Sequence, residues 1–169
     1  VDVFTFKGDV AYSHPRTFYV ETEKPIEGDL DGNTEHSIES IRKRSLAWAF
    51  QMDVMPSQGF LLSLEISGNH VFSLDEGIKL LLLEEDMYRL SGLIQWRFGA
   101  QDEFRLQVAG MMGLTQSDGL VMPQFSWRLS PLWSVDVGAT LVFGTKEAMS
   151  PISLFDSNDF AYVRANLSF

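Results

Sequence analysis

Apolar side chains alternate with polar ones over most of the chain, and a period of two is the mark of strands with one apolar face. In "KRSLAWAFQMDVM" the even positions hold Leu46, Trp48, Phe50, Met52 and Val54, against Ser45, Ala47, Ala49, Gln51 and Asp53 on the odd ones. No helix collects its residues this way. The same alternation runs through Phe4, Phe6, Val10 and Tyr12, through Phe60, Leu62, Leu64 and Ile66, and through Tyr88, Leu90, Ile94, Trp96 and Phe98. It continues in Phe104, Leu106, Val108 and Met112, in Val121, Phe125, Trp127 and Leu129, in Val135, Val137, Leu141 and Phe143, and in the closing "FAYVRANLSF". The pattern predicts eight strands in one all-β domain over residues 1–169, with no internal repeat, low-complexity tract or interior linker.

The connections alternate as well. "MPSQG", "GAQDE" and "SPLW" are short and rich in turn residues. Residues 14–42, 73–86 and 144–158 read as long loops, with a compact "TQSDG" between the fifth and sixth strands. Short turns thus fall on one end and long loops on the other, as in an antiparallel up-and-down β-barrel. The one ambiguous stretch, "IKLLLLEEDM", reads as an upward extension of the strand that follows it.

Alternation alone does not say whether the apolar face is inside or outside. Volume decides it: an eight-stranded barrel is barely wide enough for ordinary side chains, and this apolar set includes all four Trp and most of the thirteen Phe. The aromatics therefore belong outside, on lipid, which excludes a soluble ligand carrier with an apolar interior. Trp96, Phe98, Trp127, Trp133 and Phe169, with Phe60 and Phe104, gather near the short-turn ends as a lipid-interface belt would. Tyr12, Phe72, Tyr88 and Phe143 mark the opposite rim. Hydrocarbon offers no hydrogen-bond partner, so a sheet crosses it only when closed on itself. No apolar run approaches the length of a transmembrane helix, the longest being Leu80 to Leu83.

Charge narrows the partners. A net charge of -10 argues against a nucleic-acid surface. The absence of cysteine removes disulfides and thiolate metal sites.

A last strand of alternating apolar residues ending on Phe169, here "FAYVRANLSF", resembles the terminal signal of Gram-negative outer-membrane β-barrels, and the stretches "SLEISGNHVF" and "LVFGTKEAMSPISLFDSNDFAYVRANLSF" are similar to the C-terminal part of large porin-like members of that class. The resemblance implies location in the bacterial outer membrane, contact with lipid and lipopolysaccharide, and recognition of the last strand by the barrel-assembly machinery. It further implies a porin-like channel or transport component passing small solutes through a charged lumen. Because "VDVFTFKGDV" begins inside the strand pattern, the chain is also expected to be the C-terminal part of a longer barrel.

The polar face supplies the candidate lumen lining: Lys7, Arg89, Arg97, Arg105, Arg128 and Arg164 against Asp9, Asp53, Glu65 and Asp136, with Gln51 among them. Facing rows of opposite charge in a wet lumen select solutes by their field. The same residues in a narrow closed barrel would instead pair into a plug, leaving the loops to serve adhesion, surface or anchoring roles. No catalytic constellation is selected: His14, His36 and His70 are scattered, and neither HExxH nor GxSxG occurs. "DLDGN" in the acidic loop echoes a calcium loop without completing its ligand pattern, so no metal or cofactor is expected.

Overall fold

Each alternating segment finds an antiparallel neighbour whose own alternation is in phase with it. A computed structural model describes residues 3–25, 34–75, 78–81, 84–144, 152 and 158–168. The strands are β1 (Val3–Pro25), β2 (Thr34–Ser57), β3 (Phe60–Val71), β4 (Lys79–Leu80), β5 (Asp86–Phe98), β6 (Phe104–Gly113), β7 (Gly119–Arg128), β8 (Trp133–Phe143) and β9 (Phe160–Leu167). Apart from the two-residue β4, eight strands run up and down through one antiparallel sheet ordered β4-β1-β2-β3-β5-β6-β7-β8-β9. No helix occurs among the described residues. The sheet is not closed: among the described residues β9 pairs only with β8, and β1 only with β2 and β4.

Register keeps the two faces distinct. One row runs Phe60, Trp96, Leu106, Phe125, Val137, Val163, each opposite the next, while Gln95, Gln107 and Gln124 form a row on the other face. The apolar face is open, with Phe6 74%, Trp96 51% and Val163 75% exposed. We call it the outer face and the polar one the inner face. Three tight turns share one end. At the first, the Arg97 N–H donates to the Gly59 carbonyl at 2.7 Å, and a Cβ on Gly59 would lie 2.5 Å from the Arg97 carbonyl oxygen, so only glycine fits. At the second, Gly99 takes φ 100°, a left-handed angle that glycine tolerates best. At the third, Ser130 Oγ accepts the N–H groups of Leu132 and Trp133.

Two expectations are corrected at the opposite end. Most of the stretch read as a loop over 14–42 is strand: β1 and β2 stay paired up to Pro25 opposite Thr34. A bulge between Ser13 and Arg16 adds one residue to β1, and Pro15, which has no N–H to give a ladder, sits in it. The extra residue reverses the phase, so Phe18 and Val20 turn to the inner face. There they bury against Val71 and Leu80, with Ile41, Leu74 and Ile78 packed around them. The second correction concerns "IKLLLLEEDM", which does not extend β5. Its Lys79–Leu80 forms β4 and pairs with Glu21 and Val20 of β1, while β5 begins only at Asp86. Leu82 and Leu83 lie outside the described residues.

Candidate functional site

The inner face carries two polar clusters, each assembled from strands distant in sequence. In the first, β1 and β2 pair Lys7 with Gln51, and β3 brings Ser63 opposite Asp53. The Asp53 carboxylate accepts from Lys7 Nζ at 3.0 Å, from Gln51 Nε2 at 2.8 Å and from Ser63 Oγ at 2.6 Å. It is a satisfied network. Asp9 lies one step higher opposite Ala49, and Glu65 stands between Gln51 and Ser91. Arg89 lies higher still, opposite Ser67 and Gly113, and its shielded Nε has no partner among the described residues.

The second cluster sits at the tight-turn end of β5 to β9. The turn at Gly99 sets Arg97 directly opposite Arg105, and Arg105, Ser126, Asp136 and Arg164 follow one another across the sheet. Arg105 Nη2 donates to Ser126 Oγ at 3.0 Å, and Asn166 Nδ2 donates to Asp136 Oδ2 at 2.8 Å. Arg128 donates to the Gln101 carbonyl, whereas Arg164 lies over the Tyr162 ring, 5.5 Å from its centroid. Arg97, Arg105 and Arg128 line an open basin of about 460 Å³, together with Asp102, Glu103, Asp136 and Asn166. Glu103 closes its own turn: the Gln101 N–H donates to Oε2 at 2.7 Å, and that bond above all, then the Glu103 N–H, holds the carboxyl below its ordinary pKa.

On the outer face Trp96, Phe98, Phe104, Phe125 and Trp127 make a continuous band, with ring centroids 4.8 Å apart for Trp96 and Phe98 and 6.1 Å for Phe104 and Trp127. Trp133 is exposed beside Leu167, and Phe169 lies outside the described residues. Ser63, Ser126 and Glu103 were not singled out by the sequence. The two serines were legible only as inward-phase positions, and Glu103 not at all. His70 Nδ1 meets Asp86 Oδ1 at 2.8 Å at the rim, and His14 stacks on Tyr12. No group of three or more potential metal ligands occurs among the described residues, and "DLDGN" lies outside them. No family model matches the chain, and neither curated proteins nor solved structures give a match.

Proposed function

We propose that this chain forms wall of an outer-membrane β-barrel whose polar inner face lines an aqueous passage for small solutes. The observation that carries the reading is the outer face, apolar and exposed from β1 to β9. A soluble monomer rarely leaves so continuous an apolar surface in water. Hydrocarbon removes that cost and demands paired backbone groups, which the ladder supplies from β1 to β9 and which closure or further wall strands would supply at its two edges. The lengths suit a crossing: β6 and β7 have ten residues and β8 eleven, where a tilted strand needs about 9–11.

A passage is favoured over a plug because Arg97 and Arg128 stay exposed on the inner face and eight long strands leave the sheet open. Closed at eight strands, the interior would hold little beyond its own side chains. The same reading places the turn end and its aromatic band at the periplasmic interface, with lipid and lipopolysaccharide around the opposite rim.

The test is detergent binding and vesicle insertion of the purified chain, followed by conductance across a planar bilayer. Expected are bound detergent and ohmic channels. Protein that stays monodisperse in plain buffer without bound detergent overturns the membrane reading, and insertion without conductance replaces the passage by a plugged, anchoring barrel. A paired substitution adds direction: Leu64→Lys on the outer face should cost about 2–4 kcal/mol in vesicles, the depth-dependent penalty of a lipid-facing cation, while inner-face Gln107→Lys should cost far less.

A further inference from the structure

We propose that Arg97, Arg105 and Arg128 form an oxyanion subsite at the turn-side mouth, taking the carboxylate or phosphate group of a small anionic solute. The proposal rests on the reading of the inner face as passage lining and adds the class of solute to it.

The three residues come from adjacent strands and share the inner face. Arg97 and Arg105 are directly opposite, an arrangement in which like charges repel. Among the described residues no ion pair involves Arg97, Arg105 or Arg128. Of the three carboxylates in the basin, Glu103 accepts the N–H of Gln101 and Asp136 accepts from Asn166. Each guanidinium carries five N–H donors. Arg105 uses one on Ser126 and Arg128 one on the Gln101 carbonyl, while the shielded Nε of Arg105 has no partner among the described residues.

A basin of about 460 Å³ therefore presents more strong donors than its own acceptors satisfy. The complement is an acceptor-rich anion. The planar guanidinium fork matches carboxylate and phosphate oxygens two at a time, which chloride and neutral solutes cannot reproduce. Asp102, Glu103 and Asp136 balance the three guanidinium charges without forming an ion pair with any of them among the described residues. The result is a site that attracts an oxyanion and still releases it, as passage requires.

The experiment titrates the folded full chain in micelles with sodium phosphate and with succinate, at constant ionic strength set by sodium chloride, using isothermal calorimetry. Saturable binding of one or both is expected, with chloride giving none. The triple variant R97Q/R105Q/R128Q should bind at least about tenfold more weakly, and Arg42→Gln, exposed on β2 opposite Thr17, should bind like the parent. The charge-retaining R97K/R105K/R128K should fall between them, because it keeps the field and loses the fork. Absence of saturable binding to the parent chain overturns the subsite, whether or not the variants fold, and so does equal loss in Arg42→Gln. Binding without channel conductance sinks the passage and spares the subsite, whereas conductance without binding does the reverse.

Discussion

Trp48 lies across Gly68, and the pair illustrates how single residues shape the outer face. The two are directly opposite in register, and a Cβ on Gly68 would come within 2.5 Å of indole Cε2. The indole therefore lies flat where any other residue would lift it, and its ring also reaches Tyr88 at 6.3 Å. Gly68→Ala should lower stability by about 1–3 kcal/mol through this overpacking, read as an earlier urea midpoint. Glu103 gives a pH signature instead. Its folded pKa lies below the unfolded value of 4.5, so its contribution to stability is fully present above that value. The contribution fades as pH falls through the folded pKa. Unfolding midpoints of the parent and Glu103→Gln should thus differ at neutral pH and converge in acid. A gap that persists unchanged at pH 3 would place the effect in packing rather than in the carboxylate. Neither feature was legible beforehand, since the sequence gives no sign that Gly68 meets a ring or that a turn closes on its own Glu.

The strands themselves were readable wherever alternation was unbroken. β2 from Leu46 to Val54, β5, β6 and β8 stand where the period of two puts them. The reading failed where the period changes phase. The bulge beside Pro15 moves the apolar set from even to odd partners, so Phe18 and Val20 face the same side as Ile41 while Tyr19 is exposed. With acids dense on either side, the segment looked like a solvated loop. The small cluster of Phe18, Val20, Val71 and Leu80 repairs that conflict locally, and Lys43 ties the adjoining turn down through Asp75 at 3.1 Å. Leu80→Asp should break the cluster and release β4. Amide exchange at Val20 and Leu81 would then accelerate by about tenfold or more, while exchange at Trp96 stays as slow as before. Equal acceleration everywhere would mean that the cluster holds the whole sheet and not its upper hairpin alone.

For the whole molecule, side-chain volume sufficed to say which face is crowded with rings, but not which charge meets which. A slip of one residue would turn every side chain to the wrong face, whereas a slip of two keeps the faces and changes every partner. Hydrophobic pattern therefore excludes the first error and is blind to the second. That is why the inward set of Lys7, Asp53, Arg105 and Asp136 could be named, while the contacts of Asp53 with Ser63 and of Arg105 with Ser126 could not. The unclosed sheet was invisible for a related reason, since alternation describes each strand and carries no count of its neighbours. One small element bears on how such a wall is completed. β4 occupies the edge of β1 at Val20 and Glu21, and the Leu81 N–H is given to the Tyr19 carbonyl at 2.8 Å. At that height the edge of β1 is occupied, so a strand that zips onto β1 from the tight-turn end must stop beneath β4. The two-residue segment is a doorstop, and by limiting how far an incoming strand can climb it sets the stagger of the seam, from which the tilt and girth of a closed wall follow.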